Sequence, residues 1–411
     1  MRKYKLAVLT SHVIQYQGPL FRKVAGHPKI DLTVYFCSKH GVEKRIDKGF
    51  GKSFKWDISL LEGYNYKFLP NLSSNISPGG FFSLINPGVF KELKDNKFDA
   101  ILVYGYACLT NWIAFLSAIV TQTPLILIGE STLLYERSLW LRALKRAVLT
   151  PLFRWTKVFL TIGSYNEKFY EHYRVPCEKM FHTPYSVDND YFSSKFHKYF
   201  SEKTSIKREL NLPLSKVLII FVGKLISRKR PMDLLEAFEK ISLENAALIF
   251  VGDGKERTKL EDYSCRKGLG DVYFFGFVNQ SELPKFYSIG DIFVLPSEKE
   301  TWGLVINEAM NFALPIITTD LVGASGDIVK HEENGYIYPK GDIEKLSYYL
   351  RKLCKDLDLR RKMGIKSEQI IEKWGFNECV EAIYDAIVYI SAKHEPSKAQ
   401  DIAHQRIDNH T

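Results

Sequence analysis

The sequence predicts an α/β protein of two doubly wound, parallel-sheet domains in one chain of 411 residues. Short runs rich in Val, Ile, Leu and Phe ("KLAVLT", "DLTVYFC", "FDAILVYG", "PLILIGE", "KVFLTIG") alternate with helix-length segments, the rhythm of βαβ units. The rhythm then restarts with "KVLIIFVGK", "AALIFVGDG", "VYFFGFV", "DIFVLPS" and "LPIITTD". The length also exceeds what one core ordinarily serves.

Each segment has a reason for its assignment. The start, "MRKYKLAVLT", sets basic residues before an apolar run too short for a signal-peptide core, so it reads as the first strand. "LTNWIAFLSAIVTQTPLILIGE" is interrupted by Thr121, Gln122, Thr123 and Pro124 and reads as a buried helix followed by a buried strand. No membrane-spanning segment is expected. From His182, "HTPYSVDNDYFSSKFHKYFSEKTS" is polar and aromatic without a period and reads as a linker. It separates a first domain over 1–190 from a second over 191–373. A helix is expected over 374–392, and the tail 393–411, poor in large apolar residues, is expected to be disordered.

Hydrophobic residues at 45% and charged residues at 25% exclude a disordered chain. The net charge of +10 fits nucleic acid, an acidic membrane surface or a phosphate-bearing substrate. No nucleic-acid-binding motif accompanies it, so nucleic acid is not an expected partner. Six scattered cysteines without a C-x-x-C pair suggest neither a zinc site nor a disulfide framework and fit a reducing, cytoplasmic setting.

Open α/β sheets bind ligands beyond the carboxyl ends of their strands. After "VLIIFVG", Gly223 makes a turn, and Lys224, Arg228, Lys229 and Arg230 precede a helix that begins near Pro231 or Met232. Cations beside a helix start suit a di-anion such as a diphosphate, although a solvated basic turn looks the same. Gly252, Gly254 and Gly276 serve close ligand approach or plain turns equally well. In "PSEKETWGLVINEAM", Glu300 and Glu308 have seven residues between them across a strand-to-helix turn. Eight residues of loop and helix span roughly 12 Å at ~1.5 Å per helical residue, the scale of a nucleotide sugar rather than of one reacting bond. Two carboxylates repel a diphosphate and should face hydroxyl groups.

In order, "FVGKLISRKRPMDLLEAF", "LIFVGDGKERTKLE", "FFGFVNQSELPKFYSIGDIFVLPSEKETWGLVINEAMNFALPIITTDLVGASGDIV" and "ENGYIYPKGD" resemble the retaining nucleotide-sugar glycosyltransferases of family 4, of bacterial polysaccharide or glycolipid type. That resemblance implies the GT-B architecture, two Rossmann-like domains facing a cleft. It implies Lys224 and Lys229 as the cations on the donor diphosphate and leaving group. Glu300 falls where the first acid meets the transferred sugar, with the main chain of Trp302, Gly303 and Leu304 beside sugar and phosphate. Glu308 falls where the second acid binds ribose hydroxyls, and the base is met around Phe277 and Val278. Lys224 stands where arginine is frequent, and lysine cannot make a bidentate contact.

In the first half, "SHVIQYQGPLFRKVA" resembles a bacterial branch in which Gly18 admits the donor phosphates, with one glycine where many relatives have two. "PLILIGEST" has Gly129, Glu130 and Ser131 where many relatives have a histidine, leaving Glu130 and His12 as acceptor-side candidates. The resemblance implies retention by same-face attack through an oxocarbenium-like state, the leaving phosphate taking the acceptor's proton. No metal and no cofactor beyond the donor are expected. Asp188-Asn189-Asp190 imitates a D-x-D metal motif but lies in the linker, and Asp356-Leu357-Asp358 repeats the pattern elsewhere.

The implied partners are a nucleotide-sugar donor and a glycan, lipid-linked glycan or small acceptor. "LWLRALKRAVLTPLFRWTKVFL", basic and aromatic with no acid, suits either an anionic membrane surface or a helix of the first domain's core. A nicotinamide dehydrogenase is disfavoured because "LAVLTSHVIQYQG" lacks G-x-G-x-x-G. A non-catalytic nucleotide-sugar binder or scaffold, and a GT-B epimerase, are the remaining alternatives.

Overall fold

The computed structural model describes residues 3–43, 45–47, 52–74, 79–135 and 138–392. The tail expected to be disordered, 393–411, lies outside them. The chain forms two compact units. One comprises residues up to 44, 59–184 and the segment from 376; the other comprises 45–58 and 185–375.

The strands are β1 (Tyr4–Thr10), β2 (Ile30–Phe36), β3 (Arg45–Asp47), β4 (Lys52–Phe54), β5 (Asn65–Phe68), β6 (Ala100–Tyr104), β7 (Leu125–Ile128), β8 (Val158–Thr161) and β9 (Met180–His182). β3 and β4 form an antiparallel hairpin that belongs to the second unit, and the remaining strands named here belong to the first. The others make a seven-stranded sheet in the order β5-β2-β1-β6-β7-β8-β9. Its pairings are parallel. β7 and β8 are buried at every position, as befits a parallel sheet covered on both faces.

The helices of this unit are α1 (Gln17–Ala25), α2 (Gly88–Asn96), α3 (Leu109–Val120), α4 (Leu139–Trp155) and α5 (Ser164–His172). Phe115 of α3, Phe153 of α4 and Phe169 of α5 close one core with Leu9, Val103 and Leu127.

The second unit continues with helices α6 (Asn189–Phe200), α7 (Lys203–Glu209), α8 (Pro231–Ile241), α9 (Arg257–Arg266), α10 (Leu283–Ile289), α11 (Leu304–Met310), α12 (Ile343–Lys355) and α13 (Leu357–Ile371). Its strands are β10 (Val217–Val222), β11 (Ala246–Val251), β12 (Val272–Gly276), β13 (Ile292–Leu295), β14 (Ile316–Thr319) and β15 (Gly335–Tyr338). They form a parallel sheet in the order β12-β11-β10-β13-β14-β15. The last helix, α14 (Phe376–Ala392), returns to the first unit, where its Tyr389 ring meets Phe181 and the Cys379 thiol donates to the Pro184 carbonyl. Among the described residues no helix is long and apolar enough to cross a membrane.

Two sequence expectations are corrected. The supposed linker from His182 is largely helical, α6 and α7, because Asp188 accepts a hydrogen bond from the Tyr191 N–H as an N-cap and α6 buries Phe192 and Tyr199. The Asp188-Asn189-Asp190 triplet is thus a helix start. A single cut at 190/191 also misses residues 45–58, which cluster with the second unit. There Asn279 Nδ2 donates to the Lys55 carbonyl at 2.9 Å and the Ser281 N–H donates to Asp57 at 3.2 Å.

In both sheets the chain runs outward in one direction and then returns to the other side of the first strand. β6 lies beside β1, and β13 beside β10. These are the points where the winding reverses and loops after neighbouring strands diverge.

The β10 and β11 ends touch closely. Gly252 has φ +143°, and a Cβ there would stand 1.8 Å from the Gly223 carbonyl oxygen. Gly252→Ala is expected to lower stability by about 3 kcal/mol or more, since this backbone region is nearly closed to other residues and the overlap cannot relax through a side chain. A urea midpoint unchanged from the parent protein would contradict it.

Candidate active site

The switch point of the second sheet decides which residues meet. Lys229 lies in the loop after β10 and Glu300 in the loop after β13, so adjacent parallel strands deliver them to one place. The Lys229 ammonium pairs with the Glu300 carboxylate, and the two side chains are only 11% and 15% exposed. With so little solvent around the pair, removal of either partner leaves a poorly solvated charge without its counterpart.

The surroundings fix both loops. The Glu298 N–H donates to the Arg228 carbonyl at 3.0 Å, Arg228 Nη1 donates to the Lys299 carbonyl at 3.2 Å, and Arg230 Nη1 donates to Glu298 at 3.1 Å. Arg230 also donates to Asp233 at 2.7 Å, which draws its guanidinium to the start of α8. From the other side, the Gly323 N–H donates to the Glu300 carbonyl and the Ala324 N–H to the Trp302 carbonyl. A Cβ on Gly323 would stand 1.9 Å from the Thr301 oxygen, so only glycine lets this strap pass. Lys224 follows Gly223 (φ +148°) at the end of β10, half-buried, with its carbonyl accepting from the Ile226 N–H.

Gly303 has φ +103° and opens α11, with room for a Cβ closed by Leu295 and Val322. The Trp302 ring is buried, stacked on Trp374 at 5.2 Å between ring centres, and its indole N–H donates to Asn307 Oδ1. Trp302 thus serves the packing of this unit through its side chain. Leu304 begins α11, and Phe277 and Val278 lie half-buried in the loop after β12.

Glu308 departs from the expected picture. Its side chain is 0% exposed, with one carboxylate oxygen accepting from Tyr287 Oη at 2.6 Å and the other from Gln280 Nε2 at 3.2 Å. Both oxygens face protein donors, so a ribose hydroxyl at this carboxylate has to displace one of them. The reason is that α11 is enclosed on every side: Ile306, Asn307, Ala309 and Met310 are buried too, and Glu308, on the side opposite Ile306 and Met310, is covered by Tyr287 and Gln280.

A polar network around α11 escaped the sequence reading. Asn307 Nδ2 donates to the Tyr185 carbonyl, Asn311 Nδ2 to Asn189 Oδ1, and Asn189 Nδ2 to the Ile371 carbonyl, each at 2.9 Å. It ties the segments entering and leaving the second unit to the helix that follows Glu300. Only the N-x-x-x-N spacing of 307 and 311, one turn apart on a helix, could have signalled it.

In the first unit, Gly18 does not border open space. A Cβ there would come within 2.8 Å of the Leu60 carbonyl oxygen, so no larger side chain fits at this position. His12 shares a hydrogen bond with Ser11 at 2.8 Å and meets the His40 ring edge-on. Glu130 is exposed after β7, while Asn166 donates to both the Gly129 and Ser131 carbonyls at 2.8 Å. Tyr106, in the loop after β6, shares a hydrogen bond with Ser131. Tyr106 too was missed, since a lone tyrosine after a strand carries no pattern.

Comparison with known proteins bears on the second unit first. Residues 202–370 match the family described as glycosyl transferases group 1. N-acetyl-alpha-D-glucosaminyl L-malate synthase of Bacillus anthracis is 31% identical over 194 residues, 46% of this chain and 50% of that protein. An uncharacterized glycosyltransferase of Methanocaldococcus jannaschii is 38% identical over 184 residues, 44% of this chain and 42% of that protein. The chain thus spans about half the length of the curated relatives it matches. The crystal structure of Anabaena HepE in complex with UDP superposes with a TM-score of 0.72 at 15% identity, covering 94% of this chain and 99% of that one. The fold is GT-B, with two Rossmann-like domains in one chain.

Proposed function

We propose, from the glycosyl transferases group 1 domain that residues 202–370 form, that this chain moves a sugar from a nucleotide-sugar donor to a hydroxyl of a glycan, lipid-linked glycan or small acceptor with retention of configuration. The observation that carries the reading is the Lys229–Glu300 pair at the switch point of the second sheet. An ammonium and a carboxylate side by side match a ligand that offers phosphate oxygens and sugar hydroxyls a few bonds apart. HepE, of the same fold, binds UDP.

In this reading the bond from the sugar's anomeric carbon to the phosphate oxygen breaks with its electron pair going to the diphosphate. The acceptor oxygen bonds to the same face of that carbon, and its proton passes to the departing phosphate. Lys229 and Lys224 stabilise the charge that builds on the leaving group. Glu300 holds the transferred sugar, and Glu308 meets the ribose by exchanging its longer bond, to Gln280, for a hydroxyl group. The main chain of Trp302, Gly303 and Leu304 and the loop at Phe277 and Val278 complete the donor site. Lysine charge serves in place of a metal, and the enzyme acts in the cytoplasm, touching an anionic membrane surface through the basic stretch around α4.

The proposal is tested by thermal stabilisation of the purified protein with UDP, GDP, ADP, CDP and dTDP, each with and without magnesium. Stabilisation by one nucleotide, unchanged by chelator, is expected. No stabilisation by any of them at millimolar concentration would favour a scaffold that has kept the fold. A free epimerised nucleotide sugar, with no acceptor modified, would instead favour the epimerase.

A further inference from the structure

We propose that a groove in the first unit takes the hydrocarbon chain of an anionic lipid, and that this lipid is the sugar acceptor. The second half of that statement rests on the transferase reading; the groove itself is a separate observation.

The cavity is about 440 Å³ and is walled by Phe81, Tyr106, Trp112, Leu144, Lys145 and Val148, among others. Leu141, Leu144 and Val148 recur at the spacing of one face of α4, and that face is 41%, 56% and 42% exposed at those positions. On the facing helix α3, Trp112 and Leu116 lie one turn apart, and Leu116 is 64% exposed. The buried residues of α4, Leu149, Leu152 and Phe153, all belong to its second half. The first half therefore keeps an apolar stripe that its own core does not use.

The groove begins at the functional end of the sheet. Tyr106 lines it and follows β6, the strand beside the switch point with β1, and the same tyrosine is hydrogen-bonded to Ser131, next to exposed Glu130. A molecule with its chain in the groove would present its head at the carboxyl ends of β6 and β7.

Charge identifies the head and narrows the occupant. Arg142, Lys145, Arg146, Arg154 and Lys157 lie between Ser138 and Gly163, a stretch without any acidic residue. The Lys145 ammonium sits 5.6 Å from the centre of the Tyr106 ring and 4.6 Å from that of Phe169, at the groove wall. A phosphate at the head of the chain would find this cation within reach. A second copy of this chain, itself at +10 and basic along α4, would meet like charge. An apolar chain ending in a phosphate satisfies both the wall and the cations.

The test uses the full-length chain and isothermal titration with decyl phosphate below its micelle concentration, decanol and inorganic phosphate. Decyl phosphate is expected to bind at one site, decanol about tenfold more weakly and inorganic phosphate not measurably. Leu144→Gln combined with Val148→Gln should weaken decyl phosphate by about tenfold. It should leave stabilisation by the donor nucleotide unchanged. Both positions are exposed, so folding is not at stake, and Lys145→Met separately should remove the preference for decyl phosphate over decanol.

Equal binding by the double variant and the parent would overturn the proposal. So would adsorption to phosphatidylglycerol vesicles without one-site binding of decyl phosphate, which would mean surface contact only. Dimerisation that the double variant abolishes would make this face an interface between copies and overturn it as well. Nucleotide stabilisation with no decyl phosphate binding would remove the groove alone. Decyl phosphate binding with no nucleotide stabilisation would overturn the assignment of this lipid as acceptor.

Discussion

Under the proposed transfer, Lys229→Ala is expected to cut turnover by about 10²–10³-fold with every donor used, the scale on which one well-placed charge stabilises a departing anion. Glu300→Ala is expected to damage discrimination between donor sugars more than it damages the leaving-group step. The ion pair joins the two effects. Because Lys229 and Glu300 are mostly buried against each other, either single variant leaves a poorly solvated charge and should lose about 2–4 kcal/mol of stability. The double variant should lose less than the sum of the two. A double-mutant cycle in urea, run beside steady-state kinetics on several donors, checks both statements. Additive stability losses with full activity in all three variants would remove Lys229 and Glu300 from the site.

The second large effect concerns Glu308. Removing its carboxylate strips Tyr287 and Gln280 of a shared acceptor in a fully buried place, so Glu308→Ala should destabilise by about 2–4 kcal/mol whatever its role in binding. Loss of nucleotide binding in that variant would therefore not identify a ribose contact. Glu308→Gln is the informative change. Its amide oxygen can still accept from Tyr287, while Gln280 can turn its own carbonyl towards the new NH₂ group. The variant is expected to melt within a few degrees of the parent and to lose nucleotide stabilisation. A folded Glu308→Gln protein that responds fully to nucleotide would confine Glu308 to holding α11 in place.

Much of the first layer of organisation was legible in the sequence. Strands buried on both faces read as unbroken apolar runs, so "VLIIFVG" and "ALIFVG" announced β10 and β11 and the parallel sheet they open. Glu300 and Lys229, which meet in the structure, were legible as loop residues after two strands, while the donor-site roles given to them and to Lys224 came from the family resemblance alone. Three edge elements were not visible: β5 (NYKF), β9 (MFH) and β15 (GYIY) lack the unbroken run of Val, Ile, Leu and Phe that marked four-residue strands such as β7 and β13.

The linker that proved to be α6 and α7 shows the same limit from the other side. Its helices are stabilised by an Asp188 cap and by aromatic contacts such as Phe192 and Phe196 with Phe312, and no local pattern encodes a partner more than a hundred residues away. Gly18 and Glu308 make the point at the site itself. The sequence supplied a glycine and an acid in suggestive places, and only packing chose what each would face, the Leu60 backbone for one and Tyr287 with Gln280 for the other. Residue type and spacing determine which chemistry a loop can offer, because propensity and charge are local properties. Which groups meet, and which are shut away from solvent, depends on strand order and helix rotation, and those are settled by contacts between segments far apart in the chain.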